Sequence, residues 1–367
     1  MRKIVFFVES LGSGGAERVL TVVANFFSEN GWDVTIYVST KETVPFYKVS
    51  ESVKLVYLDF SYDKKGVWEK TLEQFRRIMK IRRILKSKNN HIVIGFLSHM
   101  NVRLLISSIF TGNKIFCCEH NHYNANRSKL FKYFKILSYI ALSERISVLT
   151  ERDYKSYPRL LKRKLYVLPN PLGIEVEIIN KKNKYKERKI ILLAIGRLCE
   201  QKGFDRLLEI ISEFKLRYPS VDFELKIAGD GKLRHDLEST INEFGLKSSV
   251  MLLGNVQHIE NLYCDADVFL MTSRWEGLPM VLGEAMMYGL PTVAYDCPTG
   301  PREFIVNGKS GLLIPDGHKN EFVEALYYIC MHDDIRKDYS KYAKDASKKY
   351  SMKNIYKNWL EFLRLDK

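Results

Sequence analysis

The chain has 367 residues, 46% of them hydrophobic and 28% charged. That length exceeds one ordinary core and suits two domains of similar size, while the composition excludes a disordered, collagenous or membrane-spanning chain. Its net charge of +15 is confined to one half, since residues 1–170 hold 29 Lys+Arg against 14 Asp+Glu and residues 171–367 hold 29 of each. An asymmetry of this kind points to an anionic partner for the first domain only.

Met1–Val8 resembles a signal peptide superficially, but its apolar part is short and ends at Glu9, which predicts a first buried strand. Further strands are predicted at Val34–Val38, Val53–Tyr57, Ile92–Phe96, Ile115–Cys118, Ile146–Leu149 and Leu165–Leu168. Amphipathic segments at Glu17–Glu29, Trp68–Lys88 and Leu130–Leu142 alternate with them, the pattern of a parallel sheet with helices on both faces. Pro169-Asn170-Pro171 and the polar stretch Asn180–Lys189 then interrupt the pattern as a linker, dividing residues 1–170 from 171–349. It restarts at Ile190–Ile195 and continues through Phe223–Ile227, Val250–Leu253, Val268–Met271, Thr292–Ala294 and Leu312–Ile314. Helical patterns run from Glu321 to Leu365.

The most informative words surround Val268–Met271. After this strand, Gly277 and Pro279 break the chain, and Pro279 suits the first position of a new helix. Glu276 therefore lies on the loop at the strand's carboxyl end, and Glu284, after seven intervening residues, lies about a turn into the helix. Ligands of open α/β sheets bind at that edge, and the N–H groups near Pro279, Met280 and Val281 suit an anion. Hydroxyl-binding carboxylates beside an anion cradle match a nucleotide-sugar.

Gly196-Arg197-Leu198, with Lys202-Gly203, ends the strand Ile190–Ile195. Its two cations suit a diphosphate, Arg197 as a fork and Lys202 as a point charge. Gly12-Ser13-Gly14-Gly15-Ala16-Glu17 comes after the first strand. A dinucleotide site is disfavoured there, because a third glycine is absent and Val38-Ser39-Thr40 offers no acidic residue for a ribose. The alternative is a glycine turn needed only for packing. Glu119-His120-Asn121-His122 ends another strand, with no third metal-ligand word nearby. Asp265-Ala266-Asp267 precedes a strand rather than ending one, so it reads as a polar connection. Gly229-Asp230-Gly231 reads as turn and cap chemistry. The six cysteines include no C-x-x-C pair and suit small buried hydrophobes in a reducing, cytoplasmic compartment.

The Trp68–Lys88 segment carries Arg76, Arg77, Lys80 and Arg83 around an apolar stripe of Leu72, Phe75, Ile78, Met79 and Leu85. Arg127–Lys135 adds Lys129, Lys132 and Lys135 among aromatic residues. No nucleic-acid reading module is visible, so these patches point to an anionic membrane surface and no nucleic acid. The alternative is a solvated charged face over core.

The Glu276-Gly277-Leu278-Pro279 loop, its partner Glu284 and the subsequent Ala285–Val293 resemble the donor site of family-four retaining glycosyltransferases of bacteria. The resemblance implies a GT-B fold, α/β, with two Rossmann-like doubly wound domains facing across a cleft. The first would bind the acceptor and the second the donor, with the Tyr350–Leu365 segment crossing back. It implies that Glu276 faces the donor sugar, that Glu284 holds the ribose diol, and that Arg197 and Lys202 hold the phosphates. The Gly14-Gly15 turn would close on the diphosphate, and His120 would contact the sugar near the reacting carbon. By this resemblance the chain is a metal-independent retaining enzyme without a cofactor. It would move a hexose or N-acetylhexosamine from a UDP-sugar to a lipid-linked or growing surface polysaccharide such as O-antigen or capsule. It would work peripherally at the inner face of the plasma membrane. Two other functions stay open: a UDP-sugar epimerase of the same fold, and a basic nucleic-acid-binding protein with a vestigial sugar-nucleotide domain.

Overall fold

Unbroken apolar runs such as Ile4–Val8 and Val268–Met271 are buried throughout, which only a parallel sheet covered on both faces allows. The structure, a computed structural model, describes residues 2–12, 14–41, 44–60, 66–88, 91–120, 123, 128–173, 189–298 and 300–365. Ser13, His122, Arg127 and most of the predicted 180–189 linker lie outside the described residues. The chain divides into two units, Met1–Gly173 with Tyr350–Lys367, and Ile174–Lys349.

In the first unit, β1 (Lys3–Val8), β2 (Asp33–Val38), β3 (Lys54–Tyr57), β4 (Ile92–Phe96), β5 (Ile115–Cys118), β6 (Ser143–Val148) and β7 (Leu165–Val167) form one sheet. Its order is β3-β2-β1-β4-β5-β6-β7, with every pairing parallel. The order reverses between β1 and β4. Right-handed crossovers then put α1 (Gly15–Glu29) on one face and α2 (Val67–Lys86), α3 (Ser98–Ser108) and α4 (Lys129–Leu142) on the other. A short α5 (Glu151–Ser156) is capped by Thr150, whose hydroxyl accepts from the Asp153 N–H at 3.0 Å.

The second unit repeats the plan. Its strands are β8 (Ile190–Ile195), β9 (Phe223–Ala228), β10 (Val250–Gly254), β11 (Val268–Met271), β12 (Thr292–Asp296) and β13 (Gly311–Pro315), in the order β10-β9-β8-β11-β12-β13. Here the reversal falls between β8 and β11. The helices are α6 (Phe204–Arg217), α7 (Arg234–Glu243), α8 (Ile259–Asp265), α9 (Met280–Met287), α10 (Pro301–Phe304), α11 (Lys319–Met331) and α12 (Asp333–Ser347). α6 shows why these segments are helical: Phe204, Leu207, Leu208, Ile211 and Phe214 recur at three- and four-residue spacing and all enter the core. Asp267 ties β11 to β8 reciprocally. Its carboxylate accepts the Ile191 N–H at 2.8 Å, and its own N–H donates to the Ile191 carbonyl at 2.8 Å.

The final helix, α13 (Met352–Phe362), belongs to the first unit. Ser351 caps it, and the Leu172 N–H donates to the Tyr350 carbonyl at 2.7 Å. Phe27 of α1 meets Tyr356 at 5.4 Å and Trp359 at 6.1 Å between ring centroids, and Tyr166 donates to Glu361 at 2.8 Å. Trp359 is almost wholly buried, so Trp359→Ala removes a large side chain from a filled site. It should lower stability by about 3–5 kcal/mol, read as an earlier urea transition of the first unit.

Candidate functional site

In the second unit the carboxyl ends of β8 and β11 flank the reversal in strand order, the position where doubly wound sheets take ligands. Two glycines let loops at this edge touch backbone to backbone, Gly203 joining the loops that leave β8 and β11, and Gly300 joining the loop that leaves β12 to the one that leaves β11. Gly203 has φ +64°, and a Cβ there would stand 2.2 Å from the Thr272 carbonyl oxygen. Gly300 has φ +97°, and its Cβ would stand 2.5 Å from both the Gly277 carbonyl oxygen and Pro279 Cδ. Only glycine fits such contacts.

This approach delivers Lys202 to Glu276. Lys202 Nζ stands 2.7 Å from Glu276 Oε1, which also accepts from Ser273 Oγ at 2.7 Å. Gln201 Nε2 donates to the Trp275 carbonyl at 3.0 Å, and the Arg274 side chain grips Asp205 through two bonds of 2.8 and 2.5 Å. The Arg274 hydrogen bond holds the Asp205 carboxyl below its usual range despite partial burial. Arg197, on the same loop as Lys202, is exposed and makes no ion pair among the described residues. Sequence reasoning paired Arg197 with Lys202; the structure pairs Lys202 with Glu276 and leaves Arg197 open to solvent.

Pro279 needs a correction. It is the N-cap of α9 rather than its first helical residue: ψ is 93°, and its carbonyl accepts from Leu282 at 3.0 Å and Gly283 at 3.2 Å. Leu278, Pro279 and Met280 are buried, and Gly277 and Val281 are half-buried. Glu284 sits deeper than its motif suggests. It is wholly buried and accepts the Tyr263 hydroxyl at 2.9 Å, and Tyr263 in turn stacks on Tyr288 at 5.2 Å. Sequence reasoning gave no role to Ser273 or Tyr263. Ser273, three residues before Glu276, opens the motif, whereas Tyr263 carries no local signal.

In the first unit His120 leaves the end of β5 and stacks on Phe96, with centroids 4.9 Å apart and planes 18° apart. Burial of its ring pushes its pKa from 6.5 down to about 4, with the Glu119 charge and the Asn170 side chain pulling the other way. Glu119 is itself buried. Its carboxylate accepts from Ser98 Oγ at 2.7 Å, Asn101 Nδ2 at 3.0 Å and the Tyr139 hydroxyl, and it pairs with Lys135 Nζ at 3.1 Å. Burial raises its pKa, but Lys135 and these hydrogen bonds outweigh burial and hold it low. Gly14 is the N-cap of α1 and Gly15 its first residue, with the Glu17 carboxylate folded over Gly14.

The predicted cationic surface is smaller than the sequence suggested. Lys135 is buried against Glu119, and Arg77 is buried beside Glu73 at 3.4 Å and over the Phe60 ring. Lys80 is exposed, but its Nζ donates to the Leu58 carbonyl at 2.6 Å. Lys132 is half-buried and lies over Tyr123. Arg76, Arg83 and Lys129 remain exposed. The apolar stripe also divides. Leu85 is buried, whereas Trp68, Leu72 and Phe75 on α2 are exposed, as are Leu130, Tyr133, Phe134 and Leu137 on α4. α4 thus turns Lys135 and Tyr139 inward, with Ile136, Ile140 and Leu142 also packed on the core, and leaves a second set of apolar residues outward. No helix among the described residues is long and apolar enough to cross a membrane.

Comparison with known proteins fits the second unit. The model for "Glycosyl transferases group 1" matches residues 175–346. The chain therefore carries a group 1 glycosyltransferase domain. Over its whole length it is similar to the amylovoran biosynthesis glycosyltransferase AmsD of Erwinia amylovora, at 29% identity over 99% of this chain and 100% of that protein. It is also 28% identical, over 99% of this chain and 98% of the other, to a Campylobacter jejuni α-1,4-N-acetyl-D-galactosaminyltransferase named for a diphospho-undecaprenol-linked glycan. Among solved structures, Anabaena HepE in complex with UDP and glucose aligns with a TM-score of 0.81 at 17% identity, covering 99% of this chain and 100% of that one. That likeness shows a GT-B fold.

The depressed His120 pKa has a consequence for stability. Between about 6.5 and about 4 the unfolded chain binds more protons than the folded one, so stability falls as pH drops through that window. The loss attributable to His120 is about 3 kcal/mol, from 1.36 kcal/mol per pKa unit. Urea titrations at pH 7 and pH 4.5 should show a smaller difference for His120→Gln than for the wild type. An equal difference would place the acid-labile group elsewhere.

Proposed function

We propose that this glycosyltransferase is a retaining, metal-independent enzyme using a nucleoside diphosphate sugar, a UDP-hexose or UDP-N-acetylhexosamine, as donor. The acceptor we propose is a lipid-linked or growing surface-polysaccharide glycan. The observation that carries this reading is the Lys202–Glu276–Ser273 cluster at the reversal of the second sheet, beside the uncommitted Arg197. A carboxylate held by a lysine and a hydroxyl is oriented before any ligand arrives, and it suits the hydroxyls of a sugar. Arg197 and Lys202 suit the charge that develops on a departing diphosphate, which makes a bound metal unnecessary there. With that leaving group stabilised, the acceptor hydroxyl attacks from the face it vacates and passes its proton to the departing diphosphate, so the anomeric configuration is kept without a protein nucleophile. In this reading Glu284 takes the ribose, His120 supports the sugar near the reacting carbon, and the Gly14-Gly15 turn faces the diphosphate. The names of the Erwinia and Campylobacter relatives support the acceptor class.

The test is UDP release from UDP-hexoses and UDP-N-acetylhexosamines, with a polyprenyl-diphosphate-linked N-acetylhexosamine as acceptor. Arg197→Ala and Lys202→Ala should each lower turnover by about 10²–10³-fold, the usual effect of removing one preorganised donor to developing charge. Near-normal turnover in both would put the diphosphate elsewhere.

For the first unit we propose peripheral attachment to an anionic membrane, at the cytoplasmic leaflet where lipid-linked acceptors are built. Helices of a parallel sheet begin at the strands' carboxyl edge, so the exposed Trp68, Leu72 and Phe75 and the exposed face of α4 lie toward the same edge. Each such side chain buried in lipid contributes about 1.5–3 kcal/mol, against about 1 kcal/mol for each cation near an anionic surface. Apolar insertion should therefore outweigh Arg76, Arg83 and Lys129. Vesicles containing anionic lipid should pellet the protein. Trp68→Ser with Phe134→Ser should abolish pelleting even at low salt, whereas Arg76→Gln with Arg83→Gln should only increase its salt sensitivity. Unchanged pelleting of the Trp68/Phe134 variant would sink the insertion model.

A further inference from the structure

A buried ion pair is weak evidence of stabilisation. Moving two charges out of water costs several kcal/mol per ion, and apolar replacements of similar volume are often neutral or stabilising. Lys135 and Glu119 are both buried in the first unit, and neither belongs to the apolar core. The carboxylate gathers five side-chain donors. Asn101 and Tyr139 donate to Oε1, while Ser98, Lys135 and, at 3.4 Å, the Tyr157 hydroxyl address Oε2. These donors come from α3, α4 and the segment after α5, so three parts of the unit converge on one side chain. The main chain is fixed as well, with the Glu119 N–H donating to the Ser147 carbonyl at 3.1 Å.

His120 is the next residue along the chain, and its imidazole rests on Phe96, the last residue of β4. Between Phe96 and Ser98 stands Leu97, with φ 71° and ψ 148°, a conformation nearly confined to glycine. The Leu97 N–H donates to the Cys118 carbonyl at 3.0 Å. The strained residue thus links the ring beneath His120 to one of the hydroxyls that grip Glu119. Strain of this kind persists where the surroundings over-determine it, and here those surroundings are the Glu119 network.

We infer that the Lys135–Glu119 pair is a positioning device for the sugar-transfer reaction, acting through His120. The pair fixes where β5 ends and hence where the imidazole stands; it does not itself touch substrate. Glu119 and Lys135 are positioning residues, and the inference rests on the role proposed above for His120. The buried face of α4 carries the lysine of this pair, while the opposite face carries the exposed apolar residues, so the same helix would serve lipid contact and the reacting site.

The experiment uses the full chain and the UDP-release assay. Lys135→Met with Glu119→Gln replaces the pair by neutral groups of similar size. This double variant should keep a Tm within a few degrees of the wild type and unchanged UDP affinity by calorimetry. Its kcat should fall at least thirtyfold, with little change in donor KM. Combined with His120→Ala, it should lose no more than His120→Ala alone, because a residue acting through His120 has nothing left to position. A double variant with wild-type kcat would overturn the inference, and so would losses that multiply in full with His120→Ala. Should the double variant not fold, Tyr157→Phe and Ser98→Ala each remove one donor and keep the pair. Each should lower kcat three- to tenfold at unchanged UDP affinity, and wild-type kcat in both would overturn the inference equally. A wild type that releases no UDP from any donor would instead overturn the transferase reading, and this inference with it.

Discussion

The 2.7 Å contact between Lys202 and Glu276 is the interaction on which the second unit's site depends. It joins the loop leaving β8 to the loop leaving β11 across the reversal of the sheet. One backbone approach makes it possible, Gly203 against Thr272, while Gly300 on the loop leaving β12 packs against Gly277 beside Glu276. A side chain larger than hydrogen at Gly203 would separate these two loops, and the ion pair with them. The contact also has a chemical meaning. A lysine that faces both a carboxylate and an open edge can exchange part of that attraction for a ligand's phosphate while the carboxylate turns to hydroxyls.

The first unit solves a different problem. Its sheet is an ordinary doubly wound one, but α4 sends a lysine inward among its core-packed residues and leaves four large apolar or aromatic side chains outward. Lys135 and Tyr139, four residues apart, point to Glu119, while Leu130, Tyr133, Phe134 and Leu137 face solvent. Such an arrangement would be poor design for a helix surrounded by water. It suits the peripheral membrane attachment proposed above, with a buried carboxylate on the helix's other side.

Much of the fold was legible because continuous apolar strands alternating with amphipathic helices leave few topologies open. Val268–Met271 as β11 and the loop from Ser273 to Pro279 could be read from periodicity and from Gly and Pro alone. Side-chain direction was the weaker inference. Lys135 and Arg77 belong to charge-rich words, and charge-rich words usually mean solvent, yet both are buried beside carboxylates contributed by Glu119 and Glu73. Nothing local in sequence reveals that Glu119, sixteen residues before Lys135, needs a cation. Likewise Tyr263 reaches Glu284 only because α8 packs beside α9, a tertiary fact without a motif.

We propose that side-chain cations hold a nucleoside diphosphate at the carboxyl edge of the second sheet. Calorimetric titration of UDP into the full chain in the presence of EDTA tests this most directly. One saturable site per chain, unaffected by added manganese and weakened by salt, is the expected result. Absence of UDP binding, or binding that appears only with a divalent cation, would contradict it.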